Sequence, residues 1–192
     1  MDKPRIFFGT GNGKKLTEID AILGAQFDIQ SFRDLPAKLE VIEDAPDLEG
    51  NAIKKAKSFY EVVGMPCFAD DTGLEVAALD GRPGVYSARY AGEDGDSEAN
   101  MQLLLKELAD KDDRSAQFRT VIAYYDGASL HTFEGILKGR IGLVKRGGGG
   151  FGYDPLFIPE NDERTLAEMT SDEKNTISHR GKAVRNFAEF IL

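Results

Sequence analysis

Short apolar runs alternate along this chain with stripes of helical period. Arg5 to Thr10 carries Ile6, Phe7 and Phe8 into Gly9-Thr10-Gly11-Asn12-Gly13, after which Leu16, Ile19, Ile22 and Leu23 recur at near-helical spacing. That order predicts a strand, a glycine loop and a helix stopped by Gly24. Phe27 to Phe32 alternates apolar and polar residues and predicts a second strand. Ala52, Ala56, Phe59 and Val63 make one apolar helix face, closed by Gly64 and Pro66, while Asn51 and Lys55 share another stripe of that helix. Met65 to Ala69 reads as a short buried strand that ends in Asp70-Asp71-Thr72-Gly73.

Further along, Gly81 to Gly84 is a turn, and Asp94 to Ser97 offers caps for a helix that buries Leu103, Leu104 and Leu108. Ala109 to Ser115 is a charged connection. Phe118 to Tyr125 and Leu130 to Glu134 flank Asp126-Gly127, a pair that readily adopts the positive φ angles of a tight hairpin turn. Gly147 to Gly152 is a second glycine loop. Ser178 caps a final helix buried through Val184, Phe187, Ala188 and Ile191. Interleaved strands and helices, with neither internal repeat nor linker, predict one α/β domain over 1–192 with an antiparallel portion.

Composition narrows the function. In 192 residues, 33 acidic side chains against 24 basic give a net charge of −9, which argues against a cationic surface for nucleic acid. The single cysteine, Cys67, excludes an internal disulfide and a cysteine-rich zinc site, and its apolar strand suggests core packing. No apolar run approaches the roughly 20 residues of a membrane span, and Ile6 to Phe8 is too short for a secretory signal. The expectation is a soluble cytoplasmic protein.

The candidate chemistry sits at the loops. Gly9 to Lys15 lies between strand and helix, where backbone N–H groups and the helix dipole attract phosphate; alone, it suits equally a turn with solvated lysines. Lys15 after Lys14 breaks a Walker A motif, and Lys14 stands where a dinucleotide fingerprint needs glycine. Gly147, Gly149 and Gly152 match that fingerprint formally. Tyr153-Asp154-Pro155 then blocks the helix it requires, which leaves a loop offering Phe151 and Tyr153 for stacking beside Asp154. Asp70 and Asp71 point to opposite sides of their strand, so one is expected to face a ligand and the other to hold the scaffold. An acid from Glu40, Glu43, Asp44, Asp47 or Glu49 would complete an oxygen-ligand site for Mg²⁺ with water and phosphates. Lys15, Lys55, Arg89, Lys174 and Arg180 are candidate anion-binding cations, and His131 reads as structural.

Taken in order, Thr10-Gly11-Asn12-x-x-Lys15, Asn51-Ala52-x-x-Lys55-Ala56, Ala69-Asp70-Asp71-Thr72-Gly73-Leu74, Pro83-Gly84-Val85-Tyr86-Ser87-Ala88-Arg89-Tyr90, Gly149-Gly150-Phe151-Gly152-Tyr153-Asp154-Pro155 and Ser178-His179-Arg180-Gly181 resemble the inosine/xanthosine triphosphate pyrophosphatase family. The resemblance runs from Ile6 to the last helix. It implies an α/β fold, a mixed sheet with flanking helices in two lobes around a nucleotide cleft, usually as a homodimer. It also implies Mg²⁺-dependent hydrolysis of the α–β phosphate bond of ITP, dITP and XTP, to the monophosphate and pyrophosphate. By position, Thr10, Gly11, Asn12, Gly13, Lys14 and Lys15 would hold phosphates with help from Asn51, Lys55, Thr72 and Arg89. Glu43, eight residues before Asn51, and Asp71 would bind the metal, with Asp71 and Lys15 catalytic. Phe151, Gly152, Tyr153, Asp154, Lys174, His179 and Arg180 would form the base pocket. Donors such as Arg180 that an adenine amino group leaves unpaired would cost about 1–3 kcal/mol and so select a 6-oxo purine. A Maf-type nucleotide pyrophosphatase and a non-catalytic nucleotide sensor are the competing readings.

Overall fold

The computed structural model describes residues 3–35, 39–92 and 95–192, with the side chains of residues 14 and 18 outside the description. In chain order the strands are β1 (Arg5–Phe8), β2 (Asp28–Gln30), β3 (Cys67–Val76), β4 (Ser115–Tyr125), β5 (Leu130–Ile141) and β6 (Phe157–Pro159). The helices are α1 (Gly13–Leu23), α2 (Leu48–Val63), α3 (Ser97–Glu107), α4 (Ser171–Ile177) and α5 (His179–Ile191). The strands form one mixed sheet in the order β2-β1-β3-β4-β5-β6. β1 runs parallel to both β2 and β3, and β5 is antiparallel to β6. This is the α/β class expected.

Local chemistry accounts for the element ends. Asn12 precedes α1, and its side-chain oxygen accepts from the Lys15 N–H at 3.5 Å. Asp47 caps α2 by accepting from the Gly50 N–H, and Gly64 closes that helix at φ 64°, a conformation cheap only for glycine. Asp96 caps α3; Asp94, also named as a cap, lies outside the described residues. On α2 the predicted face is buried through Ala52, Ala56 and Phe59.

Three elements depart from expectation. β3 does not end at Asp70 but runs through Asp71, Thr72 and Gly73 to Val76, because Leu74 and Val76 are fully buried and the aspartates have cations beside them. The hairpin between β4 and β5 keeps the expected strand ends, Tyr125 and Leu130, but of the Asp126-Gly127 pair only Gly127 takes a positive φ, 96°. Asp126 Oδ1 instead accepts from the Ala128 and Ser129 N–H groups, which stabilises the turn. α4 was not predicted; its 7 residues are too few to show a period, and a capping box between Thr170 and Glu173 starts it.

By contacts the chain divides into two compact units, Met1–Asp71 with Thr120–Gly135 and Arg180–Leu192, and Thr72–Arg119 with Ile136–His179. The first unit buries Ile6, Phe8, Ile19, Leu23, Phe68, Ile122, Val184 and Phe187 together, with Phe8 and Phe68 stacked at 4.5 Å. Its Phe7, Phe32 and Phe59 rings meet edge-on at 5.2–5.8 Å. The second unit buries Leu74, Val76, Met101, Leu104, Leu108, Phe118, Phe157 and Leu166. No helix among the described residues is long and apolar enough to cross a membrane.

A Cβ on Gly9 would stand 2.0 Å from the Phe59 ring, so the glycine loop can follow β1 only without a side chain there. Gly9→Ala is expected to cost roughly 1–3 kcal/mol in urea denaturation. Gly148→Ala, with nothing within 4 Å of the added carbon, serves as the control. Equal midpoints for both variants would show that the Phe59 contact does not constrain the loop.

Candidate active site

In the first unit, β3 presents its two aspartates to different cations, as strand alternation requires. Lys15, in the first turn of α1, places Nζ 2.7 Å from Asp70 Oδ2, and Arg180 Nε lies 3.6 Å from the same oxygen. The Asp70 side chain is 3% exposed. Burial pushes its carboxyl upward, but Lys15, Arg180 and Lys55 outweigh burial and hold it well below the ordinary 3.8. Asp71 sits beside Lys55 on α2, whose Nζ is 3.6 Å from Asp71 Oδ1 and 3.2 Å from Glu43 Oε1. Its carboxyl is raised: burial dominates, Lys55 opposes, and the Glu43 charge adds to the rise. The two aspartates are therefore shifted in opposite directions.

Asn51 explains how Glu43 comes to Lys55. Its buried side chain accepts from the Ala45 N–H at 2.9 Å, which ties the acidic segment back to α2. Three other acids of that segment are engaged elsewhere: Asp44 with Lys54, Asp47 as the α2 cap, Glu49 with the Thr132 hydroxyl. Glu43 and Asp71 thus share the Lys55 ammonium. Among the described residues no group of three or more His, Cys, Asp or Glu could hold a metal. A pair of hard carboxylates that leaves other positions to water and phosphate nevertheless suits Mg²⁺, which keeps much of its hydration.

The glycine loop beside this cluster is held from below. The Gly9 N–H donates to the Phe68 carbonyl on β3 at 2.9 Å, and Thr10 Oγ1 accepts from the Asn12 N–H at 3.1 Å. Lys14 lies in α1, with its side chain outside the described residues. A cavity of about 240 Å³ is lined by residues 10–13 and Leu16 and by Ser31, Phe32 and Arg33. Sequence reading assigned those last three no role. The signal lay in the parallel pairing of β1 with β2, which puts the turn after β2 beside the loop after β1.

The second unit carries the other glycine loop. Gly147 at φ 82° and Gly150 at φ 74° adopt backbone that side chains resist, and a Cβ on Gly147 would meet the Ala167 carbonyl carbon at 2.5 Å. The Gly149 N–H donates to the Ala167 carbonyl, and the Ala167 N–H donates to the Asp154 carbonyl. Asp154 is buried; its Oδ2 accepts from the Phe151 N–H at 2.9 Å and from Lys174 Nζ. Lys174 also stands 4.7 Å from the centroid of the Phe151 ring, which is 54% exposed. Gly152, at φ 60°, follows.

Tyr153 corrects the expectation of two stacking aromatics. Its ring belongs to the apolar core and its hydroxyl donates to the Ser87 carbonyl at 2.7 Å, so Phe151 alone is presented. Burial pushes the Tyr153 phenol far up. Ser87 Oγ in turn accepts from the Leu74 N–H and donates to the Gly84 carbonyl. Asn100, also unassigned from sequence, is buried and bonds the Ala91 N–H and the Ala88 carbonyl. Arg89 ends the 3-10 turn Gly84–Arg89 with its guanidinium over the Tyr86 ring at 5.2 Å. Thr72 follows Asp71 on β3, partly buried. His179 is buried and stacks on Phe118 at 5.0 Å, whereas its neighbour Arg180 turns to Asp70. Cys67 is buried, its thiol pushed up to about 12, and His131 packs on Phe190; both fit the structural roles expected.

The sequence profile of the Ham1 family matches residues 6–190. A protein of Flavobacterium johnsoniae named dITP/XTP pyrophosphatase is 46% identical over 187 residues, covering 97% of each chain. One of the same name from Bacillus subtilis is 42% identical and covers 95% of this chain and 94% of its own. Among solved structures, the Staphylococcus aureus Ham1 protein superposes with a TM-score of 0.92 at 36% identity, covering 97% of both chains. A HAM1 protein from Coxiella burnetii gives 0.93 at 35% identity, covering 98% of both.

The Asp70 cluster has a pH signature. Because the folded carboxyl lies below its ordinary 3.8, its ionisation stabilises the fold above about pH 4 and that contribution is lost as pH falls toward the folded value. Asp70→Asn is expected to cost about 3 kcal/mol at pH 7, since it strands Lys15 and Arg180. The deficit should narrow at pH 3. A deficit that stays constant between those two pH values would refute the charge pairing as its source.

Proposed function

The chain belongs to the Ham1 family, and we propose that it is a divalent-metal-dependent hydrolase that splits the α–β phosphate bond of dITP, XTP and ITP, releasing a nucleoside monophosphate and pyrophosphate. The observation that carries this reading is the pair of adjacent aspartates on β3, each with its own lysine, beside the glycine loop at the start of α1. The relatives' shared name supports the choice of substrate.

The residues divide the work. The backbone N–H groups of Gly11 and Gly13 bind phosphate oxygens, those of Thr10, Asn12 and Lys15 being used to shape the loop, and Lys15 adds a full charge. Asp70 fixes the Lys15 ammonium and the Arg180 guanidinium while staying ionised. Asp71, its carboxyl raised by burial, accepts the proton of the attacking water. Glu43 and Asp71 hold the metal, for which Mg²⁺ is our assignment; when bound, it offsets negative charge growing on the departing pyrophosphate. Lys55 passes from those carboxylates to the phosphates.

For the base, Phe151 supplies an exposed ring for stacking, edged by Lys174. The 6-oxo group needs donors, which the glycine loop's N–H groups and Lys174 provide. We carry forward the homodimer and a cytoplasmic location, where nucleoside triphosphates are made and used. Sedimentation equilibrium at twice the 21.1 kDa chain mass would support the dimer.

Product analysis with Mg²⁺ tests the reaction. Monophosphate and pyrophosphate are expected from ITP, dITP and XTP, with ATP and GTP nearly untouched; diphosphate and orthophosphate would overturn the assigned bond. Asp71→Asn should lower turnover by about 10²–10⁴-fold with nucleotide binding retained, which also excludes a sensor. In the metal-free protein the Asp71 carboxyl should titrate above its ordinary 3.8, followed by carboxyl NMR, because burial raises it. A titration at or below that value would refute burial as the dominant influence on Asp71.

A further inference from the structure

We infer that Arg33, outside every motif of the resemblance, is a substrate-binding residue that holds the end of the triphosphate farthest from the nucleoside. The inference rests on the reaction proposed above. Arg33 is exposed and lines the cavity together with the glycine loop. Its Nη2 lies so close over the first residue of α1 that a Cβ on Gly13 would stand only 2.6 Å from it. Glycine at that position lets a guanidinium lie against the helix N-terminus, where phosphate oxygens are bound.

The turn that carries Arg33 is built rigidly. Asp34 Oδ2 accepts from the Ser31 N–H at 2.7 Å, and Ser31 Oγ accepts from the Arg33 N–H at 3.4 Å. Asp34 is thereby turned back on Ser31, away from its neighbour's charge. Phe32 anchors the turn from the other side, edge-on to Phe59 at 5.2 Å and to Phe7 at 5.8 Å. Ring and capping box together fix the backbone from which Arg33 reaches Gly13, and its planar guanidinium is a cation suited to bidentate phosphate contact.

Direction along the substrate follows from the reaction. With Asp71 beside the α-phosphorus, the departing pyrophosphate extends along the glycine loop to the start of α1, where Arg33 waits. The charge that grows as pyrophosphate departs appears on the β-phosphate at the broken bond, whereas the terminal phosphate is charged already in the bound substrate, so this contact acts chiefly on binding. Its loss appears in KM and leaves kcat nearly unchanged.

The experiment is steady-state kinetics of the full chain with ITP and Mg²⁺, comparing Arg33→Gln and Arg33→Lys with the parent protein at matched salt. Arg33→Gln should raise KM about tenfold, hold kcat within about twofold, and raise the inhibition constant of pyrophosphate in parallel. Arg33→Lys should recover part of the loss, and neither variant should shift Tm, because the side chain is exposed. An unchanged KM in Arg33→Gln would overturn the inference, as would a fall in kcat alone. If the parent protein releases no pyrophosphate from ITP, the proposed reaction itself fails, an outcome distinct from a Gln variant that matches an active parent.

Discussion

The burial of one carboxylate organises the first unit. Asp70 lies inside the protein on β3 and is ionised there only because Lys15 comes from α1 and Arg180 from α5. A buried charge without partners would cost more than the fold can spare, so the elements must assemble together. That requirement places a lysine at the glycine loop, so the loop's cation is also a support of the fold.

The neighbouring carboxylate has the opposite environment. Asp71 is largely desolvated and shares a single lysine with Glu43, so its charge is under-compensated. A strand makes this contrast cheap, because consecutive side chains face different surroundings at no backbone cost. One aspartate is a fixed anion and the other is held closer to its neutral form. The extension of β3 beyond Asp71 keeps that geometry on a sheet, where it is held more firmly than a loop would hold it.

In the second unit, polar groups that face inward organise the backbone. Asp154 uses one oxygen to gather the Phe151 N–H and Lys174, and Tyr153 reaches the Ser87 carbonyl. The result is a glycine loop pinned at several points that leaves one aromatic ring outside. Conformational entropy that a mobile loop would lose on binding is lost in folding instead.

Much was legible from residue order. The alternation of apolar runs, the glycines at loops, the capping residues and the motifs around Asp70-Asp71 and Phe151 carry the fold class and the chemistry, because these are local properties of the backbone and side chains. Other features were settled by distant contacts. Whether Tyr153 stacks or packs depends on a carbonyl at Ser87, and which acid joins Asp71 depends on Asn51 tethering Ala45. Where β3 ends depends on the burial of Leu74 and Val76, and Arg33 acquires meaning only because parallel pairing sets its turn beside Gly13. Residue order by itself determined which groups are available and on what kind of element they ride. Tertiary structure decided which of them meet, since burial and charge pairing act through space between residues far apart in the chain.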